Sequence, residues 1–175
     1  LPAGTRLCVE GQVAHSLYLV LEGRLEVTVG TVRVGEIGPG EFVGELSALL
    51  DTAADKVQVI SFWATWCTPC VVEVVLLNAL ATLHTDVEII LVNIDHPSML
   101  DRRAIPFLRE RRLTQVTLYH LDNPDPNVVL NKVVPNWPDS IPVTLIKDKA
   151  GQIREQFNTN VTREQLEAAL ERASH

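Results

Sequence analysis

Two cysteines separated by two residues, Cys67 and Cys70, are the side chains of this sequence best suited to chemistry. Cysteine attacks a disulfide as the thiolate, yet a free cysteine with a pKa of ~8.5 is mostly protonated at neutral pH. A helix that begins at Cys67 would direct unpaired backbone N–H groups and the positive end of its dipole at that sulfur. Pro69 suits the first turn of such a helix, where a missing N–H costs nothing. The spacing therefore predicts thiol–disulfide exchange, with Cys67 as the nucleophile and Cys70, one turn later, as the resolving thiol.

Two other interpretations of the cysteine pair remain open at this stage. A structural zinc site usually needs four ligands. The only further thiol is that of Cys8, and the histidines are scattered among unlike contexts. A structural or inert pair is the second alternative. We favour redox exchange and predict neither a metal ion nor a cofactor.

Composition excludes some functions and leaves the compartment open. The 175 residues carry a formal net charge of −7, which argues against nucleic acid as a partner because phosphate binding needs concentrated Lys and Arg. No stretch of about 20 apolar residues is present, so we expect no membrane span. No signal peptide is visible either, and we expect any targeting segment to lie outside this sequence. Three cysteines are too few to indicate a disulfide-stapled scaffold.

The pattern of apolar residues and glycines changes near residues 51–55, which predicts that the chain has two parts. Residues 1–52 contain short apolar runs separated by glycines, a pattern typical of short antiparallel strands, with the clearest strands at residues 13–20 and 24–29. Residues 56–175 alternate apolar strands with amphipathic helices, which indicates a mixed α/β sheet flanked by helices. No flexible linker rich in Gly, Ser or Pro separates the two parts.

Periodicity and turn residues predict the elements of the second part. We expect strands at residues 57–63, 87–94, 116–119, 143–147 and 152–157, the last two joined by a hairpin turn. We expect helices at residues 67–84, 100–112 and 128–134. The second of these helices should direct Ile105, Leu108 and Leu113 inward. A last helix should begin at Thr162, with Gln165 completing a capping box.

This order of elements resembles the thioredoxin fold, and over residues 56–172 it is similar to the TlpA/ResA-like thiol–disulfide oxidoreductases. The resemblance rests on the stretches Phe62-Trp63-Ala64-Thr65-Trp66-Cys67-Thr68-Pro69-Cys70, Val92-Asn93-Ile94-Asp95 and Ser140-Ile141-Pro142-Val143-Thr144-Leu145-Ile146-Lys147. It implies that the Ile141–Pro142 bond is cis and packs beside the cysteines, where a substrate segment could pair with the backbone. A tight turn before a strand is the alternative interpretation of this proline.

The resemblance also implies site residues beyond the cysteines. Glu73 stands where these proteins bury an acid that moves protons for the resolving cysteine; an exposed helix carboxylate is the alternative. Ser61 replaces the buried Asp of thioredoxins proper, and Val75 replaces a proline that kinks the helix in many relatives. The substrate-facing residues implied by the likeness are Trp66, Thr68, Pro69, Ile141 and Pro142.

Residues 1–50 resemble a different family, the cyclic-nucleotide-binding β-roll, of which they would form a truncated part. The phosphate-binding stretch is matched by residues 38–47, where Gly44 would approach the phosphate and Glu45 the ribose. The family supplies an Arg to the phosphate nine to ten residues later, but Ala54 and Asp55 stand there. Losing that partner forfeits a charge-assisted bond of roughly 1.5–3 kcal/mol. We therefore treat Gly44 and Glu45 as weak candidates for nucleotide binding.

These resemblances imply an enzyme that reduces or exchanges disulfides in partner proteins and receives electrons from a redox partner. The TlpA/ResA likeness favours an extracytoplasmic, periplasmic location; a functional β-roll would favour the cytoplasm. Open strand edges in a truncated roll invite pairing, so we expect a homodimer through residues 1–50. The rival hypothesis is a cyclic-nucleotide-sensing or dimerising adaptor with a vestigial dithiol, and a fusion in which residues 1–50 contribute little also stays open.

Overall fold

A computed structural model describes residues 53–121 and 123–174, together with the backbone of four short strands in the first fifty residues. These strands are β1 (Tyr18–Leu19), β2 (Leu25–Val29), β3 (Val32–Ile37) and β4 (Phe42–Val43). β1 pairs with β4 and β2 with β3, both antiparallel, which confirms the predicted short antiparallel strands. The remainder of the strand predicted at residues 13–20 lies outside the described residues.

Five further strands form one mixed sheet, as predicted for a thioredoxin fold. They are β5 (Val57–Trp63), β6 (Val87–Asn93), β7 (Thr117–His120), β8 (Val143–Lys147) and β9 (Ile153–Phe157), in the order β7-β6-β5-β8-β9. β5, β6 and β7 run parallel, whereas β8 is antiparallel to β5 and β9 to β8. The central strand β5 is buried along its whole length, because helices or loops cover both of its faces.

Helices cover the two faces of this sheet and create two apolar layers. On one face, α1 (Thr68–Ala81), α2 (Ile105–Glu110) and α4 (Arg163–Ala173) pack around Trp63 and Leu77. On the other face, α3 (Pro126–Val133) packs on Phe62, against whose ring Trp137 is seated edge-on with centroids 5.4 Å apart. The two layers hold β5 between them, which makes its carboxyl end a rigid base for the residues that follow.

The helix predicted over residues 100–112 is confirmed only in part. A 3₁₀ turn at Pro97–Met99 precedes it, Leu100–Ala104 form a π-helical turn, and the α-helical part is the short α2. Pro106 has no N–H for an α-helical bond to residue 102, and its ring would clash with that carbonyl. The preceding turn widens, so that the N–H of Ile105 bonds to the carbonyl of Leu100. Leu113 is buried as expected, Ile105 and Leu108 are half-buried, and the fully buried side chain of this segment is that of Ala104.

The other elements differ from prediction only at their ends. α1 is shorter at both ends than the predicted helix over residues 67–84, and β7 is shifted by one residue from the predicted strand. The capping box at Thr162 is confirmed, since its hydroxyl accepts from the N–H of Gln165 and its own N–H donates to the Gln165 side chain.

The helix α1 is unusually apolar, and it carries apolar side chains on its exposed side as well as on its buried side. Val74, Leu77 and Leu80 are buried against the sheet, whereas Val72 is 61% exposed and Val75 40% exposed. Both faces are apolar, so hydrophobic periodicity does not separate the buried side from the exposed one.

Candidate active site

Strand direction brings three separate segments to one edge of the sheet. β5 and β6 are parallel, so the residues that follow Trp63 and Asn93 lie side by side. β8 is antiparallel to β5 with Val143 opposite Phe62, so the residues that precede β8 reach the same edge. The cysteine turn (residues 65–70), Asp95 and Ile141–Pro142 therefore meet here, although Cys67 and Ile141 are 74 residues apart along the chain.

Cys67 is the residue immediately before α1, with an extended backbone, and it caps the helix through its sulfur. Its Sγ accepts a hydrogen bond from the N–H of Cys70 at 3.3 Å, and its carbonyl accepts the first α-helical bond, from Val71. This differs slightly from the predicted place in the first turn, but it strengthens the expected effect. An N-cap side chain faces the unpaired N–H groups directly, so a thiolate at this position would be stabilised by them.

Cys67 and Cys70 form a disulfide, with their Cα atoms 5.2 Å apart. Cys67 is 6% exposed and Cys70 only 1% exposed, so an incoming partner can reach Cys67 first. The rim beside it is open, because Trp66 is 61% exposed and Thr68 and Pro69 are also exposed. The structure thus brings together the five predicted residues of the cysteine turn.

The Ile141–Pro142 peptide bond is cis and lies next to the disulfide. The carbonyl oxygen of Ile141 is 3.8 Å from the Sγ of Cys67. Pro142 is buried and Ile141 half-buried, so the side chain of Ile141 lines the edge of the cysteine turn while the proline is enclosed. These two residues occupy the place that the family resemblance implied.

Asp95 anchors the cysteine turn, a role that the sequence analysis missed. Its carboxylate accepts from the N–H of Thr65 at 3.0 Å, from the hydroxyl of Thr65 at 2.8 Å and from the amide of Asn93 at 2.8 Å. Asp95 is 1% exposed, and a buried carboxylate needs such donors. An acid placed directly after a buried strand was the signal available in the sequence, but only the parallel pairing of β5 and β6 shows what it binds.

Glu73 is buried on the same face of α1 as Cys70, and the alternative of an exposed carboxylate is wrong. It is 1% exposed. Burial raises the pKa of its carboxyl above the usual value of 4.5, while hydrogen bonds from Thr144, from the backbone N–H of Val161 and from Ser61 partly oppose that rise. A buried acid with a raised pKa, on the same helix face as the second cysteine of a dithiol, is suited to holding and releasing a proton.

Three further predictions concern metals, membranes and nucleotides. Over residues 53–121 and 123–174, no cluster of three or more Cys, His, Asp or Glu side chains has a metal-binding arrangement, and no helix there is long and apolar enough to cross a bilayer. Gly44 and Glu45 lie outside the described residues. Asp55 is exposed, and the N–H of Ala54 bonds to the carbonyl of Lys149, which ties this segment to the turn between β8 and β9.

Two kinds of known protein match this chain. The family model of the cyclic nucleotide-binding domain matches residues 1–95. The thiol–disulfide oxidoreductase ResA of Geobacillus kaustophilus is 28% identical over 145 residues, covering 80% of this chain and 78% of ResA. The match to the cyclic nucleotide-binding domain extends past residue 51, where the sequence pattern changes. The match to ResA begins before that point, because residues 56–175 make up less than the 80% of the chain that the ResA match covers.

Solved structures match the same fold. A DsbF homologue from Corynebacterium diphtheriae superposes with a TM-score of 0.58 at 18% identity, covering 98% of this chain and 96% of its own. A secreted disulfide oxidoreductase of Mycobacterium tuberculosis, homologous to DsbE of E. coli, gives a TM-score of 0.53 at 18% identity, with coverage of 76% and 90%. These likenesses support the thioredoxin fold observed here.

Replacing Glu73 with Gln should flatten the pH dependence of stability. The folded state holds its proton more tightly than the unfolded state, so the contribution of Glu73 to stability is fully present below pH 4.5 and is lost as the pH rises through the raised pKa. Gln resembles the protonated acid and does not titrate. We expect the difference in urea midpoint between Glu73→Gln and the original protein to grow in favour of the variant from pH 4.5 upward, measured on the oxidised protein. A difference that is constant with pH would contradict the raised pKa.

Replacing Asp95 with Ala should loosen the cysteine turn. The substitution leaves the N–H of Thr65 and the amide of Asn93 without their acceptor, and we expect a loss of about 2–4 kcal/mol in the free energy of unfolding. Urea denaturation of the oxidised protein measures this loss. Asp55→Ala is the matched control, because Asp55 is exposed and its removal should change stability by less than about 0.5 kcal/mol. Equal effects of the two variants would show that Asp95 is no anchor.

Proposed function

We propose that this chain, which belongs through residues 1–95 to the family of the cyclic nucleotide-binding domain, reduces or exchanges disulfides in partner proteins through Cys67 and Cys70. The part that carries this disulfide is of the TlpA/ResA type of thiol–disulfide oxidoreductase. One observation carries this proposal: the sulfur of Cys67 caps α1 and accepts the N–H of Cys70 while bonded to the second cysteine. A purely structural disulfide would not need one of its sulfurs at the N-cap of a helix beside an exposed surface.

The exchange proceeds in two steps that move two electrons. The thiolate of Cys67 attacks one sulfur of the partner's disulfide; that bond breaks, and the other partner sulfur leaves as a thiolate that takes up a proton. Cys70 then attacks the sulfur of Cys67, the mixed disulfide breaks, and the second partner sulfur leaves. The partner is reduced to a dithiol and the chain is oxidised to the disulfide seen here. A redox partner reduces it again, and the relative reduction potentials set the direction of exchange.

Glu73 manages the proton of Cys70 in this scheme. Cys70 must lose a proton before it attacks, yet it is nearly inaccessible to water, at 1% exposure. Glu73 follows three residues later on the same face of α1 and is itself buried, so its carboxyl is the acid–base group on that face of the helix. The carboxylate takes the proton as Cys70 becomes nucleophilic and returns it in the reverse reaction.

The substrate surface consists of the rim around Cys67. Trp66, Thr68 and Pro69 are exposed on one side of the sulfur, and Ile141, held in place by the enclosed Pro142, forms the other side. An extended segment of a partner that lies across the Ile141 carbonyl would bring its own sulfur toward Cys67, because that carbonyl is 3.8 Å from the Sγ. The half-buried Ile141 would contact apolar groups of that segment.

The proposal extends to the location of the protein and to its assembly. An extracytoplasmic, periplasmic location fits the likeness to ResA and to a secreted oxidoreductase. We retain the two-part organisation, residues 1–52 and 56–175, and homodimerisation through residues 1–50. Gel filtration with light scattering of the chain and of a deletion of residues 1–52 tests the dimer, which is excluded if the whole chain is monomeric.

Cysteine variants should separate the two steps. Cys67→Ser removes the nucleophile, so the rate of insulin reduction by the reduced protein should fall to background. Cys70→Ser leaves the first step intact but not the second, so a mixed disulfide between Cys67 and the substrate should accumulate and be detected by mass spectrometry. Cys8→Ser serves as the control and should retain full activity. Turnover by Cys67→Ser would overturn the assignment of the nucleophile.

A cyclic-nucleotide sensor is the second candidate, favoured by the family match to residues 1–95. The phosphate would lack its arginine, because Ala54 and Asp55 stand at that position and an acid repels an anion. We therefore expect no heat of binding when cAMP is titrated into the chain in a calorimeter. Saturable binding that Glu45→Ala abolishes would instead establish the sensor, and if the chain also failed to reduce insulin the dithiol would be vestigial.

A further inference from the structure

The two oxygens of the Glu73 carboxyl have different kinds of partner. Oε1 accepts hydrogen bonds from two hydroxyl groups, that of Ser61 on β5 at 3.2 Å and that of Thr144 on β8. Oε2 is bonded to the backbone N–H of Val161 at 3.0 Å. Ser61 and Thr144 are opposite each other in the pairing of β5 with β8, so both hydroxyls reach the same oxygen.

This difference determines where a proton can reside. A backbone N–H can only donate, so a proton on Oε2 would face another proton and lose the bond to Val161. A hydroxyl group can rotate and either donate or accept. A proton on Oε1 can therefore be donated to Ser61 or Thr144, and every polar group of the network keeps a partner in both protonation states.

We propose that Ser61 and Thr144 are positioning residues for the reaction, a pair of rotating hydroxyls that confines the exchangeable proton of Glu73 to Oε1 and keeps the carboxyl in place whether protonated or ionised. This inference rests on the proposed function for its role in turnover, although not for its geometry. When Glu73 protonates the Cys70 thiolate, the O–H bond at Oε1 breaks and an S–H bond forms. The hydroxyl that had accepted from Oε1 then turns to donate to it, and no other proton is gained or lost.

Other charged groups are poorly placed to control this proton. β5 contains no charged residue, and Lys147 of β8 lies on the opposite face from Thr144 because side chains alternate along a strand. The charged side chains of α4 are exposed except that of Glu167, which is half-buried, and those of α2 are exposed. The titratable neighbours of Glu73 on α1 are the two cysteines themselves, which do not titrate while they form the disulfide. Among the groups hydrogen-bonded to Glu73, the two hydroxyls are the ones that can change between donating and accepting.

A carboxyl titration of the oxidised protein tests this inference without any need for activity. The ¹³C resonance of the Glu73 carboxyl, followed by NMR against pH, reports its protonation directly; its absence from Glu73→Gln identifies it. Thr144→Val and Ser61→Ala each remove a donor to the carboxylate, so each should move the titration midpoint to higher pH, and the double variant should move it further. Thr144→Ser restores the hydroxyl and should return the midpoint to its original value.

Controls separate this role from a merely structural one. Thr65→Val removes a hydroxyl from a different buried carboxylate, that of Asp95, and should leave the Glu73 midpoint unchanged. Midpoints for Thr144→Val and Ser61→Ala that stay the same or fall would overturn the inference, even if both variants lost stability. In the reduced protein, the pH at which insulin reduction changes should move with the NMR midpoint. Absence of insulin reduction in the original protein would contradict the proposed function and leave the NMR result intact.

Discussion

The antiparallel pairing of β8 with β5 is the constraint on which the site depends. It places Val143 opposite Phe62 and Thr144 opposite Ser61. The first pair brings Ile141 and Pro142 beside the sulfur of Cys67, and the second brings two hydroxyls to one oxygen of Glu73. A shift of one residue in this register would turn Thr144 to the other face of the sheet and separate both arrangements at once.

The two cysteines are held in unlike environments by the same helix. Cys67 lies before the first turn of α1, at the edge of an open rim, where unpaired N–H groups favour negative charge. Cys70 lies inside the protein, on the face of α1 that also carries the buried Glu73, where negative charge is costly. The two sulfurs therefore differ in access, since that of Cys67 lies at the open rim and that of Cys70 lies inside the protein.

Buried carboxyl groups divide the remaining work at this edge of the sheet. Asp95 is surrounded by donors from Thr65 and Asn93 and holds the cysteine turn in place. At Glu73, burial outweighs three hydrogen bonds and raises the pKa of the carboxyl. Two acids, each 1% exposed, therefore lie in different hydrogen-bond networks.

Local sequence was sufficient to predict the strands, the helix that begins at the cysteine pair and the cap at Thr162, because apolar runs, helix caps and turn residues act over a few neighbouring positions. It was insufficient where distant parts of the chain meet. The partners of Asp95 and Glu73 depend on how the strands pair. The π-helical turn before Pro106 has a local cause instead, the missing N–H of that proline, which the apolar pattern does not reveal. The sequence by itself determined that two thiols would begin a helix after a buried strand. Only the tertiary structure decided that Ser61, Thr144 and Val161 would surround one acid, because their contact is set by strand register and loop packing over separations of up to 88 residues.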